Sequence, residues 1–390
     1  MVLESEFPPD ERVEKEIESL QEKGFDLSIA AYTFSQKPAI ELINGYRIYR
    51  KAISRTLYKS SAAILLLPFY FIFWHRFLNG ILKREKFDII HIHDLPLSKV
   101  GYRLSQRYGM KLVCDQHEYY SNWIVRTRHY NTMAGKMIRF FSNWEKYERK
   151  YLQKADMVIT VEDSLKKIYI EKVLLSPDRV ITLPNTPRKR DFLSNDIDPE
   201  IINRYKDRFV LFYGGSLDHL RGIEFIADCM VELKKEIDNI LFLVAGKENR
   251  AFSMKRMIER LRIEKYVEYV GWVSLDKLSS YIAASHICLF VPRADNLEIN
   301  NTIATKIYQY AAMGKPVIVS EAGMMREFVE NNAIGFSTRY GDIKGFCEVV
   351  KRIYGHPEIA GDISKRAIRI AGEYTWENTS RDFLEFYARL

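Results

Sequence analysis

Cysteine pairs, a glycine fingerprint and an apolar run of membrane-spanning length are all missing from this chain of 390 residues. The four cysteines, Cys114, Cys229, Cys288 and Cys347, are far apart and form no C-x-x-C pair. That spacing argues against a disulfide framework and a structural metal site. Without a G-x-G-x-x-G motif, a dinucleotide fingerprint is not supported. The acidic opening residues do not resemble a secretory signal, so we expect a cytoplasmic protein.

The longest apolar run, from Ala62 to Trp74, has 13 residues and contains a proline. A membrane-spanning helix needs about 20 residues, so this segment does not cross a bilayer. Two interpretations remain open. The run is a buried core helix, or it is an interfacial helix that touches lipid through Phe69, Phe71, Phe73 and Trp74.

Positive charge is concentrated in one part of the chain. Between Ile43 and Lys150 there are 20 Lys and Arg against 7 Asp and Glu. This local excess of 13 in a chain of net charge +8 leaves the remainder net negative by 5. A cationic segment favours an anionic lipid headgroup or acceptor as partner. Nucleic acid is not expected, because no nucleic-acid-binding motif accompanies the charge.

Apolar segments of strand length alternate with segments of helical period, which predicts two α/β domains with parallel strands. In the first half the pattern predicts helices over 13–23, 98–108 and 133–153 and strands over 26–31, 87–93, 111–114 and 157–161. In the second half it predicts strands over 209–213, 240–245, 267–270, 287–291 and 317–319 and helices over 222–235, 254–261 and 275–283. The polar segment from Leu183 to Phe192 is typical of a linker.

The segment from Asn301 to Ser320 combines a polar start, a helix and an apolar strand. Gly314 stands where the helix ends, and Thr305 and Lys306 stand in its first turn. Free N–H groups at a helix start, together with a lysine, favour an anion such as phosphate. An ordinary amphipathic helix packed on a sheet explains the apolar positions equally well.

Glycines follow two predicted strands of the second half. Gly214 and Gly215 let backbone amides approach an anion closely, and Arg221 shortly after them can pair with phosphate in a bidentate manner. Gly246 and Lys247 follow the next strand, at the edge where open α/β sheets bind ligands. Glycine in a strand-to-helix turn is weak evidence by itself, because many such turns need it for geometry alone.

Eight motifs follow an order that resembles one large enzyme family. They are PPDERVEKE, HIHDLP, DQHE, LPNTP, YGGSL with RG, VEYVGWV, KIYQYAAMGKPV and WENTSRDFLEFY. The chain resembles the retaining glycosyltransferase family 4 over nearly its whole length. The resemblance implies a GT-B fold of class α/β, with two facing Rossmann-like domains, parallel sheets and a cleft between them.

The resemblance also implies the domain order. An acceptor-binding domain over 1–190 precedes a nucleotide-sugar-binding domain over 191–375, and a C-terminal helix over 376–390 crosses back to the first domain. Only Met1 to Leu3 are apolar enough for a strand before the polar residues that lead to the first motif, so either the first strand is shortened or the true start lies upstream.

Family positions carried over to this sequence imply a set of site residues. His117 is the implied catalytic residue beside the transferring sugar, where an imidazole can stabilise charge. Arg221 and Lys306 are implied to clamp the donor diphosphate in place of a metal ion, so no metal or cofactor is expected. The other donor-binding candidates are Gly214, Gly215, Ser216, Gly246, Lys247, Asn301, Thr305 and Gln309. The acceptor-side candidates are Arg12, Asp94 and Glu118.

The Glu-x7-Glu motif of the family is altered in this chain. Asn301 and Gln309 occupy its two positions, so the spacing survives and both charges are lost. Gln309 can still accept hydrogen bonds from a ribose, about 1 kcal/mol more weakly than a carboxylate. Asn301 indicates a different donor sugar, or Glu298 reaching the sugar from upstream, although a solvated Glu298 is slightly favoured. Ser216 replaces an arginine that many relatives carry.

The expected function is transfer of a sugar from a UDP- or GDP-sugar to a hydroxyl of a lipid-linked or polysaccharide acceptor. The resemblance implies that the anomeric configuration is retained and that the reaction belongs to cell-surface glycan biosynthesis. We expect the protein to be peripheral at the inner face of the membrane. Asn301 and Gln309 motivate the alternative of a non-catalytic protein that binds nucleotide sugars or acts as a scaffold. A nucleotide-sugar epimerase is less favoured, because the motif order follows the transferases.

Overall fold

The computed structural model describes residues 1–35, 37–125, 130, 132–193, 197–249, 252–293, 302–321 and 323–390. The chain forms two compact units, Met1–Asn185 together with Thr379–Leu390, and Thr186–Asn378. Each unit buries its own apolar cluster around a sheet. The predicted α/β class with parallel sheets is confirmed.

The first unit is built on a sheet with the strand order β3-β4-β2-β1-β5-β6-β7-β8. Its strands are β1 (Val2–Leu3), β2 (Ser28–Thr33), β3 (Ile40–Ile43), β4 (Tyr46–Ala52), β5 (Ile89–His93), β6 (Lys111–Gln116), β7 (Met157–Thr160) and β8 (Val180–Thr182). Although β1 is short, it pairs in parallel with both β2 and β5, and both of its residues are buried. The first strand is therefore a core strand.

The helices of this unit connect the parallel strands. They are α1 (Glu11–Glu22), α2 (Arg55–Lys59), α3 (Phe69–Leu82), α4 (Ser98–Tyr108), α5 (Tyr120–Ile124), α6 (Met133–Phe141), α7 (Trp144–Leu152) and α8 (Asp163–Glu171). The Asp10 side chain accepts a hydrogen bond from the Val13 N–H and caps α1. This cap explains why α1 begins two residues before the predicted start.

An antiparallel hairpin of β3 and β4 at the edge of the first sheet was not predicted. Asn44 and Gly45 join the two strands with φ angles of 45° and 84°. Two residues with positive φ are what a type I′ hairpin turn requires, and Asn-Gly is its preferred sequence. The turn signal was present, but β3 is largely exposed and lacks an apolar run.

The predicted helix over 133–153 is wrong in its continuity, because the structure has two helices, α6 and α7. The side chain of Asn143 accepts a hydrogen bond from the Lys146 N–H at 2.8 Å and caps α7. The aromatic side chains of this segment also differ in their burial. Trp144 is buried, whereas Phe140 is 84% exposed.

The apolar run from Ala62 to Trp74 is neither a single core helix nor a single interfacial helix. Its first half is a 3₁₀ turn and a loop, and α3 begins at Phe69. Phe71 and Trp74 are buried, so the expected lipid contact of these two residues is wrong, whereas Phe69 is 57% exposed. Among the described residues, none of the helices combines the length and apolar composition needed to span a bilayer.

The second unit has a parallel sheet with the strand order β11-β10-β9-β12-β13-β14. Its strands are β9 (Phe209–Gly214), β10 (Ile240–Ala245), β11 (Val267–Gly271), β12 (Ile287–Phe290), β13 (Val317–Ser320) and β14 (Gly335–Thr338). The helices that follow α8 are α9 (Arg190–Leu193), α10 (Pro199–Tyr205), α11 (Ile223–Leu233), α12 (Met254–Leu261), α13 (Leu275–Ala283), α14 (Thr305–Ala312), α15 (Gly323–Asn331), α16 (Ile343–Gly355), α17 (Pro357–Glu373), α18 (Trp376–Thr379) and α19 (Arg381–Tyr387). The last of them, α19, belongs to the first unit.

Candidate active site

The donor candidates of the second unit gather where its strand order reverses. The neighbours of β9 are β10 and β12, and open α/β sheets bind ligands at the carboxyl ends of strands beside such a reversal. Gly214 and Gly215 stand at the end of β9, and Gly246 follows β10. A Cβ on Gly246 would lie 1.7 Å from the Gly215 carbonyl oxygen. The two turns therefore touch through their backbones, which only glycine allows.

Helix α14 contacts the same turn through two side chains. The Gly214 N–H donates a hydrogen bond to the Tyr310 hydroxyl at 3.0 Å. Lys306, in the first turn of α14, places Nζ 4.2 Å from the ring centroid of Tyr213 and 4.5 Å from that of Phe290. This ammonium also adjoins the glycine turn, because a Cβ on Gly215 would lie 2.5 Å from Nζ.

The surroundings of Lys306 disfavour its positive charge. Burial, and next the charge of Arg221, lower the pKa of Lys306 to about 7. Asp218 counters this shift only as the smallest contribution, and its Oδ2 lies 3.5 Å from Nε of Arg221. An anion placed beside Nζ would restore the ammonium form. The turn is thus suited to bind a phosphate group.

The remaining donor candidates of the described chain lie around this turn. Ser216 and Lys247 are exposed, and the Leu217 N–H donates to the Lys247 carbonyl at 2.9 Å, which joins the two turns. Thr305 is the first residue of α14, as predicted. Arg221 precedes α11 and is 37% exposed, so its guanidinium is accessible.

One of the two altered family positions can be placed. Gln309 is buried in α14, three residues after Lys306, so both side chains project from the same helical face. Asn301 lies outside the described residues, and so does Glu298. Of the two altered positions, only Gln309 can therefore be related to the glycine turn, and its contact with a ribose stays a prediction.

The candidate catalytic residue, His117, directly follows β6 in the first unit. Its Nε2 lies 3.2 Å from Oδ2 of Asp115, and its Nδ1 lies 3.5 Å from Oδ1 of Asp94. Burial alone would lower the pKa of His117, but the two carboxylates raise it to about 9. Since the side chain is 30% exposed, His117 is a partly accessible imidazolium at neutral pH.

Arg12, the third acceptor-side candidate, is engaged by other groups of the first unit. It lies in α1 and is 6% exposed. Its guanidinium donates to both carboxylate oxygens of Asp115 at 3.1 to 3.3 Å and to the Leu183 carbonyl at 2.8 Å. Its Nε is also 3.1 Å from Oε1 of Glu16. The guanidinium is thus engaged by groups of the protein itself.

The two acidic acceptor-side candidates are more accessible than Arg12. Asp94 is partly exposed and has a φ of 65°, a rare conformation for a residue other than glycine. Its N–H donates to the Asp115 carbonyl at 2.8 Å, which brings Asp94 beside His117. Glu118 is partly exposed, and its carbonyl accepts from the Tyr169 hydroxyl at 3.3 Å. Both carboxylates remain candidates for acceptor contacts.

Three buried residues around His117 had no role in the sequence prediction. Asp115 was noted without an assignment, and Glu16 and His93 were missed. The available signal was the pair of histidines at positions i and i+2 of β5, which places both on one face of the strand. The His91 and His93 rings are in fact stacked, with centroids 4.3 Å apart.

These buried groups have a spacing that a metal ion could use. Ligand atoms of Glu16, His91, His93 and Asp115 all lie within 4.8 Å of one another, the one such group found in the described part of the chain. However, the Arg12 guanidinium already contacts both carboxylates. A divalent ion would add excess positive charge to a buried site, so these residues do not fit a resident metal.

Comparison with known families agrees with this geometry. Residues 12–186 match the family described as Glycosyltransferase Family 4, and residues 194–370 match the family described as Glycosyl transferases group 1. The chain belongs to the GT4-like glycosyltransferases of the GT-B fold. It is a nucleotide-sugar-dependent transferase, as its motifs predicted.

Relatives of this glycosyltransferase share about a fifth of its residues. The GPI3 subunit of phosphatidylinositol N-acetylglucosaminyltransferase from Saccharomyces cerevisiae is 21% identical over 402 residues, covering 100% of this chain and 82% of the relative. Alpha-monoglucosyldiacylglycerol synthase from Acholeplasma laidlawii is 22% identical over 350 residues, covering 86% and 80%.

Solved structures share the fold of this glycosyltransferase. Sucrose-phosphate synthase from Thermosynechococcus elongatus superposes with a TM-score of 0.75 at 17% identity and covers 97% of this chain and 92% of its own. Anabaena HepE in complex with UDP has a TM-score of 0.75 at 14% identity and covers 100% and 99%. The predicted GT-B fold is confirmed.

Proposed function

We propose that this glycosyltransferase moves a sugar from a UDP- or GDP-sugar to a hydroxyl of a lipid-linked or polysaccharide acceptor, with a lipid favoured. The cationic turn of the second unit carries the proposal. Lys306 lies against two aromatic rings beside the glycine backbone, and Arg221 lies close enough to lower the pKa of Lys306. A diphosphate supplies the negative charge that this turn lacks.

The proposal involves no metal ion. Lys306, Arg221 and the amides of the glycine turn take on the neutralisation of the departing diphosphate, because preorganised donors stabilise charge as it develops. Equal transfer rates with and without EDTA are expected. A rate that falls with EDTA and returns with Mg²⁺ contradicts this part of the proposal.

His117 is proposed to stabilise the negative charge that develops on the diphosphate oxygen as this oxygen leaves the anomeric carbon, with retention of configuration. The bond from the anomeric carbon to the diphosphate oxygen breaks, and the bond to the acceptor oxygen forms on the same face. The acceptor proton passes to the departing diphosphate. His117 is not needed as a base, because it is already protonated at neutral pH.

A donor panel tests the roles of the two residues together. UDP- and GDP-sugars are incubated with lipid and oligosaccharide acceptors, and the products are identified by mass spectrometry. His117→Ala and Lys306→Ala are each expected to reduce kcat/KM by about 100-fold or more. Lys255→Ala is the matched control, because Lys255 is an exposed lysine of the same unit that belongs to none of the candidate sites. Unchanged turnover in both test variants contradicts the proposal.

Exposed apolar side chains of the first unit favour a lipid acceptor. In α6, three large side chains recur at helical spacing and are each more than 60% exposed, namely Met133, Met137 and Phe140. The loop before α3 and the start of α3 expose four more, namely Leu66, Leu67, Phe69 and Ile72. Clustered exposed apolar side chains mark interaction surfaces. Two relatives are themselves named for a phosphatidylinositol and a glucosyldiacylglycerol.

A cationic groove adjoins the exposed part of α3. A cavity of about 360 Å³ lies between α3 and α4, with His75, Arg76, Lys99 and Arg103 in its lining. Burial and the surrounding cations, Arg103 among them, lower the pKa of His75 and of Lys99. Positive potential beside apolar side chains suits an anionic phospholipid surface. We therefore place peripheral contact with the inner face of the membrane at this part of the first unit.

Vesicle flotation tests the membrane contact. Phosphatidylcholine vesicles with phosphatidylglycerol are expected to bind the protein at low salt and to release it at high salt, because Coulomb attraction is screened. Arg76→Glu with Arg103→Glu, and separately Met137→Asp, are expected to abolish flotation. Lys255→Glu, on the exposed surface of α12 in the second unit, is the control. Equal binding to neutral vesicles, or flotation that survives both changes, contradicts the assignment.

A non-catalytic nucleotide-sugar-binding protein is the second candidate function. It is motivated by Gln309, a buried amide where the family has a carboxylate. Thermal shift with UDP and GDP identifies the base, and the donor panel then separates the two candidates. Nucleotide binding without turnover on every donor and acceptor supports the non-catalytic protein, and turnover that depends on His117 excludes it.

A further inference from the structure

Four charged or titratable side chains form a buried group that adjoins His117 in the first unit. Arg12 and Glu16 come from α1, His93 ends β5, and Asp115 lies in β6. Each of them is at most 6% exposed. Because charges are costly to bury, their arrangement requires an explanation beyond packing.

Asp115 is the centre of this group. Its carboxylate accepts hydrogen bonds from Nε and Nη2 of Arg12 at 3.1 to 3.3 Å. The Oδ2 atom is also 3.2 Å from Nε2 of His117 and 3.5 Å from Nδ1 of His93. One carboxylate thus contacts a guanidinium and two imidazole rings.

Glu16 competes with Asp115 for the same guanidinium. Its Oε1 lies 3.1 Å from Nε of Arg12, yet neither of its carboxyl oxygens has a well-aligned hydrogen bond, because the Nε–H is directed at Asp115. Burial and the charge of Asp115 raise the pKa of Glu16 well above its usual value. Although burial opposes it, Arg12 holds the pKa of Asp115 well below the usual value. The negative charge therefore resides on Asp115, and Glu16 is a neutral acid.

We propose that Asp115 is a positioning residue that holds the ring and the positive charge of His117, and that Arg12 with a neutral Glu16 keeps Asp115 negative. The inference rests on the proposed role of His117 in sugar transfer and deepens it. His117 then acts through a fixed positive charge, because its Nε2 is hydrogen-bonded to Asp115 and its Nδ1 lies 3.5 Å from Oδ1 of Asp94.

The last helix of the chain covers this group. The Tyr387 hydroxyl lies 2.6 Å from Nδ1 of His91, and the His91 ring is stacked on that of His93. Burial lowers the pKa of His91 well below its usual value, so the ring is neutral and its Nδ1 accepts the hydrogen bond from Tyr387. A buried, neutral layer on this side keeps the contact between Asp115 and His117 strong.

Histidine titration by NMR tests the inference directly in the full-length protein. The His117 signal is assigned by its loss in His117→Ala, and in the wild type it is expected to titrate near pH 9. The titratable and charged groups around the ring are Asp94, Asp115, Arg12, Glu16 and His93. Asp115→Asn is expected to lower the midpoint by about one to two pH units, since one of the two carboxylates is lost.

Glu16→Gln is the matched control, because it replaces a neutral acid by a neutral amide of the same size. It is expected to leave the His117 midpoint unchanged. If Glu16 carried the charge instead of Asp115, Glu16→Gln would move the midpoint and Asp115→Asn would not, which overturns the inference.

Sugar transfer gives a second readout. The alkaline limb of the pH profile of kcat is measured with saturating donor, so that the bound diphosphate keeps Lys306 charged. This limb is expected to move to lower pH in Asp115→Asn by the same amount, while the Kd for UDP at neutral pH is unchanged. An Asp115→Asn variant that only loses thermal stability, with the pH profile in place, overturns the positioning role.

Two further measurements test the inference on the wild-type protein alone, so they do not require that any variant folds. A wild-type His117 that titrates near the ordinary value of about 6.5 overturns it. Elemental analysis that finds a stoichiometric metal in the purified protein also overturns it, because the metal would replace Arg12 as the partner of Asp115. Should no donor be turned over, the proposed function fails, but the NMR titration still tests the charge network by itself.

Discussion

The two units of this glycosyltransferase hold their cations in opposite ways. In the first unit, Arg12 and His117 contact carboxylates, Asp115 foremost. In the second unit, Lys306 lies over aromatic rings, and its nearest acid contacts Arg221 instead. Paired cations fix the geometry of a site. Lys306 has no carboxylate at ion-pair distance among the described residues, so its charge is available to a ligand.

The pKa values of these two cations shift in opposite directions. Burial disfavours the charged form of both His117 and Lys306. Two carboxylates outweigh burial at His117 and raise its pKa to about 9. At Lys306 the next contribution comes from another cation, so the pKa falls to about 7. The partners of a buried cation therefore decide whether it is a permanent charge or one that appears on ligand binding.

Removal of the Lys306 charge is expected to have the largest effect on UDP affinity. Lys306→Ala should weaken UDP binding by about 100-fold, because a charged hydrogen bond to the diphosphate is lost. Isothermal titration calorimetry measures the Kd, with Lys255→Ala as the control that changes it by less than about twofold. Equal losses in the two variants would show that Lys306 is not a specific phosphate ligand.

The pH dependence of UDP binding sharpens the comparison. Because the pKa of free Lys306 is about 7, its ammonium form is lost as the pH rises above that value. UDP affinity should therefore fall by about tenfold between pH 7 and pH 8.5, with uptake of a proton on binding. Calorimetry in two buffers of different ionisation enthalpy measures the uptake. Lys306→Arg, which stays charged, should flatten the profile, and a flat wild-type profile contradicts the prediction.

A single Cβ tests the close approach of the two glycine turns. Gly246→Ala would place its Cβ 1.7 Å from the Gly215 carbonyl oxygen, so the turns must separate. UDP affinity should fall by about tenfold, in addition to a strain cost of roughly 1 kcal/mol. Gly341→Ala is the control, because it has a φ of +90° with no atom within 4 Å of the new Cβ. It should lower Tm and leave the UDP affinity unchanged.

The smallest expected change is a gain in UDP affinity. Gln309→Glu should strengthen UDP binding by about fivefold, since a charge-assisted hydrogen bond to the ribose replaces a neutral one. Calorimetry with UDP and with its 2′,3′-dideoxy analogue distinguishes a hydrogen bond to the ribose from any other effect of the carboxylate, because the analogue lacks the ribose hydroxyls. A gain shared by both ligands, or a loss with UDP, would rule out ribose contact at this position.

Much of the fold could be predicted because its signals are local. Helix α4 and strand β10 follow the predicted bounds, and Gly314 stands just past the end of α14. The hairpin of β3 and β4 was missed because its edge strand is exposed and lacks an apolar run. The break between α6 and α7 was missed because one capping side chain, Asn143, outweighs a continuous helical pattern.

The donor site could be predicted further than the acceptor side. The glycine turn, Lys306 and Gln309 each belong to a short segment in which spacing determines the face of a helix or the end of a strand. The partner of Arg12 could not be predicted, because nothing in its own segment indicates that this partner is Asp115, 103 residues later in the chain.

The alternation of strands and helices, the glycine turns and the order of the family motifs depend on residues close along the chain, so they could be predicted from the sequence. The pairing of charges could not, because it depends on burial and on contacts between distant segments. Burial leaves Lys306 dependent on a ligand for its charge, whereas the carboxylates around His117 keep this residue positive.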